Sequence, residues 1–245
     1  MKLEQQPTND YQTIRQALQQ LANPTKAAIL SRFFKTGPGE YGQGDIFWGI
    51  TVPQQRSMVK QFSNLSLIEI KKMLADPIHE VRLTAGLILV DQYQHNPDKH
   101  QDYLDFYLNN IERFNNWDLI DLTAPKIIGQ YLVKNKNNNL LKNLSYSKNM
   151  WARRAAMVAN LSLIRAGDYQ TALIMAKQYL TEQHDLLHKA TGWVLREVGK
   201  RNQPALINFL DHQASRMPRV MLRYSIEKLP EPLRQKYLKT RYEIN

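Results

Sequence analysis

A small residue returns at a nearly fixed interval inside apolar helical stretches of this chain, and that recurrence narrows the folds open to it. The positions are Ala85 in HEVRLTAGLILV, Ala124 in WDLIDLTAPKIIG, Ala156 in WARRAAMVANL, Gly192 in LLHKATGWVLREVG and Ser225 in VMLRYSIEKL. Successive steps are 39 residues (85 to 124), 32 (124 to 156), 36 (156 to 192) and 33 (192 to 225). Two helices approach closely only where the side chain between them is short, and periods of about 30 to 47 residues mark stacked helical pairs. The expected fold is therefore all-α, a HEAT-like helical-repeat solenoid with a concave basic groove. An array of this kind shares one continuous core, so residues 1–245 are expected to form a single α-helical repeat domain.

Local signals agree. Tyr11 to Leu21 and Lys26 to Phe34 carry helical periodicity, the second following Asn23 and Pro24, which can start a helix. Further helices are expected over Pro53 to Gln61, Ser66 to Leu74, Val81 to Tyr93 and Gln101 to Ile111, then in the segment beginning at Trp117. No stretch shows the sustained alternation of a strand. Lys134 to Asn139 is polar and Asn-rich and reads as a connection. GPGEYGQGD, residues 37–45, holds four glycines and reads as a structural loop; no strand precedes it and no Gly-Lys-Ser/Thr follows, so both nucleotide-binding fingerprints fail.

Composition bounds the chemistry. The 33 Lys and Arg exceed the 22 Asp and Glu to give a net charge of +11, which favours a polyanionic partner such as nucleic acid or an anionic membrane face. The absence of cysteine removes disulfides, thiolate nucleophiles and zinc-thiolate or iron–sulfur sites. His184 and His188 in HDLLH are four apart, as zinc ligands on one helix face would be, but the acidic residue between them is Asp185 and no further ligand pattern follows, so no metal and no cofactor is expected. The N-terminus lacks a signal-like apolar stretch, and the longest apolar run, near Leu83 to Val90, is far short of the roughly 18 residues a membrane span requires. A soluble monomer in the cytoplasm, nucleoid-associated in a bacterium, is the expectation.

Helical geometry then groups the polar residues. At about 100° per residue, Trp117, Asp121, Trp193 and Arg196 project at about 20°, 60°, 100° and 40° from the small residue of their repeats, a common sector of about 80°. Lys189 and Arg153, each three before its small residue, share the angle of Asp121. Equivalent faces of successive second helices line the concave side of a solenoid, which makes this sector the candidate binding surface. Blander roles remain open for each residue. Either tryptophan can be core, Asp121 can pair with Arg153, Asp118 can serve as a first-turn acid facing the helix dipole, and Arg196 can pair with Glu197 or solvent.

These segments together resemble the AlkD family of DNA alkylation repair glycosylases. GEYGQGDIFWGITVPQQR, residues 39–56, is similar to the family's N-terminal signature; WDLID, WARRAA and GWVLRE resemble three further motifs in the family's order. The resemblance implies a sugar-contacting Trp117, a catalytic Asp121, a second tryptophan in Trp193, Arg154 on the DNA backbone and Arg196 as a further basic contact. Arg153 and Lys189 would add contacts to DNA, and Phe33 stands where well-described members have a tyrosine, keeping the ring without its hydroxyl. Resemblance favours Arg154 as the site arginine, whereas simple geometry favours Arg153, since Arg154 projects about 100° from Asp121.

The implied reaction is hydrolysis of the N-glycosidic bond of cationic N3- or N7-alkylated purines in duplex DNA. Such a base leaves as a neutral group, so one carboxylate suffices to stabilise the oxocarbenium-like sugar and orient water. Two other classes fit the same scaffold: a non-catalytic HEAT-like protein recognising bent or branched DNA, and a protein-interaction solenoid. The carboxylate and tryptophans favour the enzyme over the first, and the second would show DNA binding insensitive to salt.

Overall fold

The computed structural model describes residues 9–135 and 138–240. Its described residues are mostly helical, with no strand beyond an isolated bridge between Ile46 and Ile78. No helix among them is long and apolar enough to cross a membrane. The all-α expectation thus holds. The chain divides into two compact units, Met1–Thr123 and Ala124–Asn245.

The first unit contains α1 (Tyr11–Gln19), α2 (Pro24–Phe33), α3 (Val52–Gln61), α4 (Leu67–Leu74), α5 (His79–His95), α6 (His100–Asn109) and α7 (Trp117–Thr123). Capping residues set where several of these begin. Asp10 accepts from the Thr13 N–H at 2.9 Å, Asn23 from Lys26 at 3.0 Å with Pro24 as the first helical residue, and Ser66 from Glu69 at 3.3 Å, each satisfying an N–H that the first turn leaves without a partner. Helix α5 is the unit's axis: α3, α4, α6 and α7 all pack on it. It is buried on nearly every side, which explains why HEVRLTAGLILV lacks a polar stripe.

Residues 37–45 form a run of turns, with Gly39 and Gly44 at φ of 77° and 89°. After them the chain is pinned. The His79 N–H donates to the Ile46 carbonyl at 2.8 Å, and the Glu80 carboxylate, 1% exposed, accepts from Trp48, Gly49 and Ile50 N–H groups at 3.0, 2.8 and 3.1 Å. Gly49 lies at φ 79°, and a Cβ there would stand 2.2 Å from the Asn23 carbonyl oxygen, so this crossing of backbones requires glycine.

The second unit contains α8 (Gln130–Asn135), α9 (Asn138–Ser145), α10 (Met150–Arg165), α11 (Gln170–Gln178), α12 (Asp185–Arg201), α13 (Gln203–Gln213), α14 (Arg219–Ser225) and α15 (Glu231–Leu238). Here α10 packs against α8, α9, α11 and α12, and α12 in turn against α13 and α14. The connection expected over Lys134 to Asn139 is shorter than the composition suggests: Lys134 and Asn135 complete α8 and Asn139 belongs to α9, while residues 136–137 lie outside the described residues. The helix beginning at Trp117 also departs from uniform geometry. Pro125 has no N–H to donate, and residues 125–129 form a π turn in which Gly129 N–H reaches the Ala124 carbonyl at 3.0 Å. A wheel drawn at 100° per residue therefore holds only as far as Ala124.

The recurring small positions are buried: Ala85, Ala124 and Ala156 are fully covered, and Ser225 nearly so. At Gly192 the reason is explicit, since an added Cβ would lie 2.5 Å from both the Met221 carbonyl oxygen and Tyr224 Cβ on α14. Alanine in a helix interior normally gains about 1 kcal/mol over glycine, but overpacking against backbone costs about 1–3 kcal/mol. Gly192→Ala is thus expected to lower the thermal midpoint, by about 2–4 °C per kcal/mol lost, and Gly192→Val to lower it further. Differential scanning calorimetry of the three proteins checks this, and an unchanged or raised midpoint in the alanine variant contradicts the close approach.

Candidate active site

Helix α7 carries the first half of the expected site. Trp117 and Asp121 are four residues apart on it, one turn, and both are half-buried. The Trp117 indole is held by rings of a preceding segment: Phe34 stacks on it at 5.1 Å with an interplanar angle of 13°, and Phe33 meets it edge-on at 5.9 Å. Phe33 itself is 62% exposed, so one of its faces is available to an outside group. Trp117 is therefore neither sealed in the core nor a loose surface ring. Beneath Asp121, the Tyr107 hydroxyl shares a hydrogen bond of 2.9 Å with Thr123. Burial pushes the Tyr107 pKa above its usual range, and the negative charge of Asp121 pushes it the same way, so that hydroxyl stays protonated beside the carboxylate.

Behind the indole lies a group of charges that the sequence reading missed. His79, at the start of α5, has Nδ1 3.1 Å from Asp45 Oδ2 and Nε2 2.9 Å from Asp118 Oδ2. Asp45 also accepts from Arg82 Nη2 at 2.5 Å and Asn116 Nδ2 at 3.1 Å. Asn116 Oδ1 takes the Trp117 N–H at 2.8 Å, and Asp118 Oδ1 takes the Leu119 N–H at 2.9 Å. Phe47 stacks on the imidazole at 4.5 Å, and Phe34 lies 5.0 Å from both. Asp118, expected as a simple first-turn acid, is thus a buried partner of His79 as well as an acceptor at the helix start. The glycine loop has a matching role, because its last residue is Asp45.

Burial opposes a charge on His79, but Asp118 and Asp45 outweigh it and push its pKa from 6.5 up to about 9. For Asp45, burial works against the ionised form as well, while His79 and Arg82 hold its pKa below the usual carboxylate range.

The remaining expected residues lie in the second unit. Trp193 is half-buried on α12. Arg154 is 4% exposed and donates through Nη1 to the Leu186 carbonyl at the start of α12. Arg153, its neighbour, pairs with Glu182 at 2.9 Å and donates to the Ser147 and Lys148 carbonyls. Lys189 pairs with Asp185 at 2.6 Å. Arg196, expected as a basic contact to DNA with a pairing to Glu197 or solvent left open as the blander role, pairs with Glu227, while Glu197 pairs with Lys200 and Arg201 one turn on. The two histidines of HDLLH have separate duties: His184 accepts the Leu186 N–H as the cap of α12, and His188 Nε2 donates to the Glu182 carbonyl at 2.6 Å. Among the described residues no group of three His, Cys, Asp or Glu is placed to hold a metal.

One stability consequence follows from His79. A folded pKa raised above the unfolded value of 6.5 contributes stability that is fully present below about pH 6.5 and is lost as pH rises through about 9. At its fullest the contribution is about 3 kcal/mol. Urea denaturation between pH 6 and 10 is expected to show stability falling across this window in the wild type and a flatter dependence in His79→Gln; parallel curves would remove the charged bridge.

Comparison with known proteins bears on what this arrangement serves. The sequence matches the family model described as DNA alkylation repair enzyme over residues 14–229. The fold is similar to that of a predicted DNA alkylation repair enzyme from Enterococcus faecalis, with a TM-score of 0.66 and 19% identity over 86% of this chain and 97% of that one. None of the curated proteins matches the sequence significantly.

Proposed function

The chain belongs to the DNA alkylation repair enzyme family, and from that premise we propose that it is a monofunctional DNA glycosylase releasing cationic N3- and N7-alkylated purines from duplex DNA. The observation that carries this reading is the pairing on α7 of a half-buried carboxylate, Asp121, with an indole one turn away whose plane is fixed by Phe34. A carboxylate so placed has the chemistry required at a breaking glycosidic bond. As the bond lengthens, positive charge grows on the deoxyribose, and a fixed negative group stabilises that charge while orienting a water molecule for attack. The alkylated base is already cationic and departs neutral, so no general acid is needed. In this respect the reaction differs from sugar hydrolysis, where two carboxylates share the work.

Trp117 and Trp193 offer electron-rich faces to a cationic nucleotide, each worth about 0.5–2 kcal/mol depending on desolvation. Phe33, exposed beside Trp117, extends that aromatic surface and contributes no hydroxyl. Arg154, Arg196, Arg153 and Lys189 are assigned to the phosphates, with the concave basic groove expected from the sequence as the binding surface and the surplus of 33 basic over 22 acidic residues as its electrostatic basis. Arg153, Lys189 and Arg196 are paired with Glu182, Asp185 and Glu227, so DNA would compete with carboxylates for them. That competition makes part of the binding energy conditional on exchanging one anion for another. Arg154 is buried against the Leu186 carbonyl and would act by orienting the start of α12 unless it swings outward. A monomer acting without metal or cofactor completes the reading, with activity confined to the compartment that holds DNA.

The test is release of 7-methylguanine and of uracil from otherwise identical duplexes. The alkylpurine is expected to leave at least about a hundredfold faster, since a neutral base is a poor leaving group without an acid; similar rates would contradict the mechanism. Asp121→Asn is expected to lower turnover by about 10²–10³-fold, the scale seen when one electrostatic stabiliser is lost, with duplex affinity within about threefold of wild type. Full turnover in that variant would remove Asp121 from its role.

A further inference from the structure

Beyond Asp121 and the tryptophans, the first unit contains a buried titratable residue to which the chemistry above assigns nothing. His79 is almost fully covered, and both of its ring nitrogens face carboxylates, Nδ1 at 3.1 Å from Asp45 and Nε2 at 2.9 Å from Asp118. Carboxylates accept and do not donate, so a neutral imidazole, with one N–H, would leave a lone pair against a buried anion. Only the doubly protonated ring satisfies both sides. The local charges then balance: His79 and Arg82 are positive, Asp45 and Asp118 negative. Other acids near the start of α5 are turned elsewhere. The Glu80 carboxylate faces the N–H groups of Trp48 to Ile50, and that of Asp76 takes Tyr11 OH, Arg15 Nε and the Ile78 N–H.

This bridge leads to the indole by two routes. Along the backbone, Asp118 is the residue after Trp117, and Asn116, the residue before it, binds both Asp45 and the Trp117 N–H. Through the rings, His79 lies 5.0 Å from Phe34, which stacks on Trp117 at 5.1 Å. The first turn of α7 is held at both points.

We infer that His79 is a positioning residue for the proposed hydrolysis: by bridging Asp45 and Asp118 it fixes the first turn of α7, and with it the plane of Trp117 and the direction of Asp121. The inference rests on the glycosylase reading for its reaction, but the bridge itself can be examined without one. Loss of the bridge displaces the indole and the carboxylate together. A shift of an ångström in such groups costs on the order of 10²-fold in rate, whereas phosphate contacts made elsewhere keep the duplex bound. The effect therefore falls on kcat and leaves KM in place.

Two measurements test this. In His79→Gln, kcat for 7-methylguanine release is expected to fall by about ten- to a hundredfold with KM within about threefold. In the wild type, the emission of Trp117, obtained as the difference between wild type and Trp117→Phe, is expected to change between pH 7 and 10 with a midpoint near 9, and that transition is expected to vanish in His79→Gln. Wild-type kcat in His79→Gln, or emission of Trp117 constant through the same pH range, overturns the inference. Should His79→Gln not fold, the wild-type emission titration decides alone. Should the wild type release no alkylpurine, the glycosylase reading falls and His79 loses its assignment to hydrolysis, while the titration still shows whether the bridge holds the indole.

Discussion

Backbone-to-backbone approach between helices is the constraint on which the rest of this structure depends. At Gly192 a single added carbon would stand 2.5 Å from the Met221 carbonyl oxygen, and at Gly129 it would stand 2.5 Å from that of Ala159. Helices held this close have little freedom to slide, since their backbones are in direct contact and the surrounding side chains interlock around that point. The long axial helices α5 and α10 are buried along most of their length because several helices pack on each. Polar side chains on such helices have few directions in which to leave the core, and a functional group placed there is aimed by the packing.

In α7 this rigidity is combined with charge. A carboxylate that stabilises a developing cation is useful only if it is already in place, because reorganisation during the reaction would consume the benefit. The first turn of α7 is held by Asn116, Asp118 and the Phe34 ring, and through them by Asp45, His79 and Arg82. These groups come from three stretches of chain far apart in sequence. Their convergence places opposite charges in contact where water is scarce, and there each ion is retained only because its counter-ion is present.

The sequence made some of this visible and concealed the rest. Helix positions were legible because apolar periodicity and capping residues such as Asn23 and Ser66 act locally, and the recurring small residues marked helix contacts because steric exclusion depends on residue size alone. Trp117 and Asp121 could be paired because one helix turn separates them. The His79 cluster was not legible, since Asp45, His79 and Asp118 are separated by 34 and 39 residues and no periodicity connects a loop to two helix starts. One signal was present in hindsight: His79 and Arg82 are three apart and both meet Asp45, the acid that ends the glycine-rich segment. The partner of Arg196 was hidden similarly, since Glu197 adjoins it in sequence but points toward Lys200 and Arg201. The π turn at Pro125 changed the helical phase beyond it, which a wheel of constant pitch cannot register.

The segment after the glycine loop has a consequence for motion and for descent. Trp48, Gly49 and Ile50 belong to no helix, yet their amides end on the one covered carboxylate of Glu80. Amides in an irregular stretch ordinarily exchange with solvent deuterium quickly, but these three must await a concerted opening that frees that carboxylate. A change of one residue in the length of the stretch from Ile46 to Ile50 would misalign three amides at once. Length variation among relatives should accordingly avoid that stretch.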